Sequence, residues 1–146
     1  NIYTRPPRNP QEKVLSKRVV ADIFINWAIL FAGVTGIYLY ARGRGMSLVE
    51  AQTCAFAAWI FGHVALAYAS RSDRQSVFSQ GVFGNKVINL WAFAAIGFLI
   101  AGVYLPLLSA QLSLTAISIA QFVGIAIVMI LVIGIVELRK MARKTV

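Results

Sequence analysis

The chain has 146 residues, of which 59% are hydrophobic and only 13% charged, and its mean hydropathy is +0.74. A soluble domain is nearer half apolar and a quarter charged, so this composition excludes an ordinary water-soluble fold and points to a membrane protein of one domain at most. The net charge of +9 is no signature of nucleic-acid binding, because the basic residues stand at the edges of apolar runs, where they orient the chain and meet lipid headgroups.

Residues 1–18 are polar and punctuated by Pro6, Pro7 and Pro10, which predicts an extended arm with no secretory leader pattern. Residues 19–41 are apolar apart from Asp22, Asn26 and Thr35, long enough to span about 30 Å of hydrocarbon. Arg42-Gly43-Arg44-Gly45 ends this run with charge and helix breakers. Ser47 precedes Glu50 by three residues, which predicts a capping box opening a second span over 51–70. A polar loop rich in Ser, Gly and Arg follows over 71–86. Residues 87–136 then carry no charged side chain, and Pro106 with Ser109, Gln111, Ser113 and Thr115 divides them into spans at 87–107 and 116–137, joined by a short neutral turn. The fold class is thus an all-α membrane protein, a bundle of four transmembrane helices over 19–146 preceded by the arm.

The basic residues orient it. Arg5, Arg8, Lys13, Lys17 and Arg18 in the arm, three in the 71–86 loop and four in the tail all fall on one side of a four-span chain, against Arg42 and Arg44 on the other. By the positive-inside rule the arm, middle loop, tail and both termini are cytoplasmic, as in a multi-pass protein of the plasma membrane. Tyr38, Tyr40, Tyr68 and Tyr104 lie near the predicted helix ends, as in an aromatic belt.

Polar residues inside the spans are few. Asp22 reads as a first-turn carboxylate stabilised by the helix dipole and by Arg18 at i−4. Asn26, Gln52 and Gln121 read as hydrogen bonds between helices. His63 lies near mid-span, where a polar ring needs a partner or hydration. Its plain reading is a neutral imidazole bonded to a neighbouring helix, and its functional reading a cation ligand or proton carrier. Nothing near it has metal-ligand spacing, so no metal site is expected from this chain alone. The single cysteine, Cys54, rules out an intrachain disulfide and reads as packed. Gly97 and Gly102, with Ala92, Ala94, Ala95 and Ala101, predict a small-residue face on the third span for close helix contact. Glu137 and Lys140 stand at i,i+3 and could pair, with Arg139, Arg143 and Lys144 suited to a helix C-terminus and anionic lipid. No phosphate loop, Ser/His/Asp set or paired carboxylates appear, so no catalytic residue is expected.

Several motifs in order carry a resemblance. Arg5-Pro6-Pro7-Arg8-Asn9-Pro10-Gln11-Glu12 resembles the RPPR-x-P-x-E linker before the seventh membrane helix of P-type cation-transporting ATPases. Arg71-Ser72-Asp73 with Ser76-Val77-Phe78 looks like that family's loop between helices eight and nine, and Phe83-Gly84-Asn85-Lys86 like its F-x-N-K motif before helix nine. Tyr104-Leu105-Pro106 is similar to the end of that helix. Leu112-Ser113-Leu114, followed by Glu137-Leu138-Arg139-Lys140 and Arg143, resembles the last span.

The resemblance covers the whole chain and implies spans seven to ten, nearest the calcium-pump-like branch. It implies a scaffold that braces the ion-carrying helices and is not an enzyme by itself. The family's phosphorylated DKTG motif does not occur here, and the fourth to sixth spans with most cation ligands are not represented. No cofactor is implied for this chain, and Mg-ATP is implied for the parent pump. The eighth span of calcium pumps offers one carboxylate or amide to a cation site, and that position falls on His63. An imidazole is a poor substitute for carboxylate oxygen around a hard cation, which implies a lost site, another ion or a proton-coupled step. The expected partners are lipid, the other membrane helices of the pump and a cation, with no nucleic acid, and a homo-oligomer when isolated. Asn1 in place of Met reads as the middle of a linker. The alternatives are a stand-alone four-span subunit or a small channel or carrier.

Overall fold

The computed structural model describes residues 16–71 and 81–142. Over these residues it contains α1 (Lys17–Gly43), α2 (Leu48–Ala69), α3 (Lys86–Tyr104), α4 (Pro106–Gln111) and α5 (Ile119–Ala142), with no strand. All but the short α4 are long and apolar enough to cross a membrane. The arm motif Arg5–Glu12, the loop residues Ser72–Phe78 and the tail residues Arg143 and Lys144 lie outside the described residues.

Side-chain caps set the helix boundaries. Ser16 accepts from the Val19 amide and starts α1 ahead of the expected apolar edge, because the long stems of Lys17 and Arg18 continue a helix through the headgroup zone. The predicted capping box opens α2: the Glu50 amide donates to Ser47 Oγ (3.2 Å) and the Ser47 amide to Glu50 Oε2 (2.7 Å). Gly45, at φ +80°, makes the left-handed turn between α1 and α2 that a side chain would strain. Asn85 Oδ1 caps α3 by accepting from the Val87 and Ile88 amides.

The third span ends earlier than the expected 107. Pro106 forces Leu105 into extended backbone (φ −85°, ψ 119°), closing α3 at Tyr104, and then serves as the first residue of α4. In place of a short neutral turn, this six-residue helix and an irregular stretch join α3 to α5. A second capping box, Ser118 with Gln121, starts α5 at Ile119, and the helix runs beyond the expected 137 to Ala142.

α2 is the hub. It packs on α1, α3 and α5, while α1 and α5 also pack on one another. Small residues make this possible: Ala51, Cys54, Ala57 and Ala58 of α2 are buried and let the neighbouring backbones approach. At Gly62 a Cβ would lie 2.3 Å from Leu30 Cδ1 and 2.8 Å from Met129 Cε, so three helices converge there. Gly33 is filled in the same way by Val132 and Met129. The expected small-residue face of α3 divides: Ala92 and Gly102 are buried, but Gly97 is exposed with nothing within 4 Å of a would-be Cβ. Outward faces carry large apolar side chains such as Phe24, Trp27, Phe93 and Leu131, which suits hydrocarbon and not water.

Thr53 ties the loop before α5 to the hub. It is fully buried, its hydroxyl donating to the Val49 carbonyl (2.8 Å) and accepting from the Thr115 amide (3.0 Å). Thr53→Val keeps the shape but removes that acceptor, with an expected cost of about 2 kcal/mol. Faster hydrogen exchange at the Thr115 amide is the local readout; unchanged protection there would contradict the role.

Candidate functional site

The residues that resemble family motifs converge at two ends of the bundle as polar ties between helices. At the end where α1 starts and α5 finishes, Arg139 of α5 pairs with Asp22 of α1. One residue on, the Lys140 ammonium donates to Glu137 Oε1 (3.2 Å) and to the Ala69 carbonyl at the end of α2. Glu137 is 9% exposed, so it is a nearly buried carboxylate. The predicted Glu137–Lys140 pair is therefore present, and the lysine also satisfies a carbonyl that the end of α2 leaves without an intrahelical donor. One turn of α5 thus holds α1 and α2 together.

The same end fixes α3. Tyr68 near the end of α2 donates to Asn89 Oδ1 (2.8 Å), and Asn89 in turn donates to the Phe83 carbonyl. Arg71 donates to the Gly81 and Val82 carbonyls, joining the two described ends of the loop. These ties put the start of α1, the end of α2, the start of α3 and the end of α5 at one end, so the four long helices alternate in direction. At the opposite end Tyr104 donates to the Ile117 carbonyl (2.9 Å), giving its motif a structural task as well.

His63 is half-buried on α2, away from this cluster. The expected bond to a neighbouring helix is replaced by one within its own: Nδ1 lies 2.8 Å from the Trp59 carbonyl, one turn back. A mid-helix position makes that carbonyl reachable without leaving the helix, which is the cheaper solution in hydrocarbon. The carbonyl only accepts, so Nδ1 is the donor in this contact. The Trp59 ring meets the imidazole edge-on, with centroids 4.6 Å apart. Phe56 continues the stripe and reaches Phe98 of α3. No three His, Cys, Asp or Glu side chains converge as a metal site among the described residues.

Other polar expectations are redistributed. Gln121 caps its own helix and does not bridge helices, because its position three residues after Ser118 completes a capping box. Asn26 is half-buried and Gln52 exposed. Asp22, expected in the first helical turn, lies beyond it because Ser16 starts α1 at Lys17, and it pairs with Arg139, 117 residues away, a pairing with no local signal. Thr53 was not singled out from sequence, since a lone threonine in an apolar run has no distinguishing pattern.

A polytopic helical membrane domain, stapled at its ends by polar side chains, is the class of protein that this geometry defines. The chain belongs to the family described as Cation transporting ATPase, C-terminus, whose family model matches residues 1–142. It is similar to Calcium-transporting ATPase 1 of Yarrowia lipolytica, 27% identical over 128 residues, which are 88% of this chain and 14% of that protein. It is also similar to Probable cation-transporting ATPase F of Mycobacterium tuberculosis, 27% identical over 124 residues (85% of this chain, 14% of the relative). Calcium-transporting ATPase type 2C member 1 of Mus musculus is 25% identical over 97 residues, 66% of this chain and 10% of the relative. The chain spans about one seventh of the length of the first two relatives. It corresponds to the C-terminal transmembrane region of P-type ATPases of the calcium-pump-like kind.

Proposed function

We propose that this chain is a fixed scaffold in a P-type cation pump, bracing the helices that carry the ion while hydrolysis of Mg-ATP takes place in other parts of the protein. The observation that carries this reading is the tie made by Arg139 and Lys140, which joins α5 to α1 and to α2 at one end through two polar contacts, the lysine also being held by Glu137 of its own helix. An element that must move between states is held by few contacts, and one that must stay still is stapled at its ends. The chain itself performs no catalysis in this reading. Its partners are lipid and the remaining membrane helices of the pump.

The basic end faces the cytoplasm in this proposal, with both termini there and the pump in the plasma membrane, since twelve of the fourteen Lys and Arg residues fall on that side. A full-length pump carrying Asp22→Cys and Arg139→Cys, joined by a short bifunctional thiol reagent, should transport at the rate of the same variant left uncrosslinked. Arrest on crosslinking would show that α1 and α5 move apart in the cycle and would end the scaffold reading.

His63 is the residue of this domain proposed to reach the cation pathway. Its Nδ1 is held by the Trp59 carbonyl, and the chemistry of an imidazole suits a proton or a borderline cation better than it replaces a carboxylate around Ca²⁺. In the full pump, His63→Ala should change the apparent cation affinity. An unchanged transport profile would return His63 to a packing role.

A further inference from the structure

A groove of about 940 Å³ opens between α1 and α5 on the bundle surface. Its shape follows from the glycines. At Gly33 the two helices are in contact, with Val132 and Met129 filling the space at 3.0–3.2 Å from a would-be Cβ. One turn on, Gly36 has nothing within 4 Å, and neither has Gly124 across the groove on α5. The helices therefore diverge from a closed crossing at Gly33 toward the end of α1, forming a wedge that is open at the membrane surface and shut at mid-depth.

The lining changes character along the wedge. Gly36, Gly124 and Val128 make its walls apolar, while Tyr40, Arg44 and Gln121 stand at its wide mouth. Of the two cations at this end, Arg42 is engaged with the Met46 carbonyl. The only carboxylate nearby in the chain, Glu50, is held in the α2 capping box. The Arg44 side chain is exposed and makes no ion pair among the described residues. An amphiphile with an anionic head and a long apolar body matches this gradient at both ends.

We propose that the α1–α5 wedge is a phospholipid site, in which the acyl portion lies between Gly36 and Gly124 and the phosphate meets the Arg44 guanidinium. The volume is within the range of about 300–1,000 Å³ that pockets offer to discrete small ligands. A transmembrane helix of a partner is the poorer occupant, since it needs a groove open along its length and this one closes at Gly33. Planar bidentate donors favour phosphate, and a basic residue at the membrane surface contributes roughly 1 kcal/mol toward an anionic headgroup. The inference stands apart from the scaffold and His63 readings, because it needs only that the bundle is embedded in lipid.

The test uses the full-length pump that carries this chain, in phosphatidylcholine vesicles containing a trace of phosphatidylglycerol with a photoreactive acyl chain. Irradiation should label peptides around Gly36 and Gly124, located by mass spectrometry. Arg44→Gln, a change at an exposed side chain, should reduce this labelling about fivefold while leaving labelling by an equally reactive diacylglycerol unchanged. Gly36→Leu combined with Gly124→Leu should abolish labelling by both, whereas Gly97→Leu on the open face of α3 serves as the control for an added side chain. Equal labelling in the Arg44 and the double-leucine variants would overturn the proposal. So would protection of the wedge from both lipids together with crosslinking of Gly36→Cys to another polypeptide segment, which would make the occupant a helix.

Discussion

Replacing Lys140 with methionine is expected to lower the stability of the helical bundle by about 3 kcal/mol. The ammonium satisfies two groups that hydrocarbon-facing structure cannot leave to water: the Glu137 carboxylate and the Ala69 carbonyl at the end of α2. Methionine keeps most of the aliphatic volume, so little of the loss comes from packing. What remains is a carboxylate 9% exposed that has lost its lysine, and a helix end that has lost its donor and its favourable cation.

A cycle separates these contributions. Glu137→Gln in the Lys140→Met background should recover part of the loss, because a neutral amide removes the buried charge and retains hydrogen-bonding capacity. Unfolding in detergent followed by far-UV circular dichroism reads all three variants. A loss below about 0.5 kcal/mol for Lys140→Met, the range of ordinary surface changes, would show that the lysine is an incidental contact.

Gly62→Val should destabilise by a similar amount, about 3 kcal/mol, through a different cause. A Cβ at this position already overlaps Leu30 Cδ1 at 2.3 Å and Met129 Cε at 2.8 Å, and the two methyls of valine extend further into the same space. Both neighbours are buried and have little room to rotate away. Leu30→Ala in the same chain should restore much of the stability by vacating the volume, a rescue that a local backbone effect of valine would not produce. Gly97→Ala, facing open space, should stay within about 0.5 kcal/mol of the parent protein. If Gly62→Val and Gly97→Ala behave alike, the three-helix convergence at Gly62 is not a tight crossing.

These two residues differ in how far they could be read in advance. Lys140 stood in a recognisable E-x-x-K pattern, and its bond to Glu137 followed from i,i+3 spacing on one helix. Its second bond, to Ala69, is 71 residues distant and was invisible. Gly62 was one small residue among several in an apolar run. The glycine set marked for close contact on the third span proved to face partly outward, while the tight crossing fell on α2. Small residues show that helices are able to approach, not which ones do.

Apolar length, charge placement and one local cap determined by themselves that four helices long enough to cross a membrane form and roughly where they lie, because these depend on residues within a turn or two of one another. The Ser47–Glu50 box and the Pro106 break are of this kind. The tertiary structure alone decided that α2 is the hub and that Asp22 meets Arg139. It also decided that His63 bonds its own helix and that α1 and α5 part beyond Gly33. Those outcomes depend on which helix faces meet, and in hydrocarbon the hydrophobic effect does not choose between faces. Steric fit and a few polar bonds make that choice, and both are set across tens of residues of sequence.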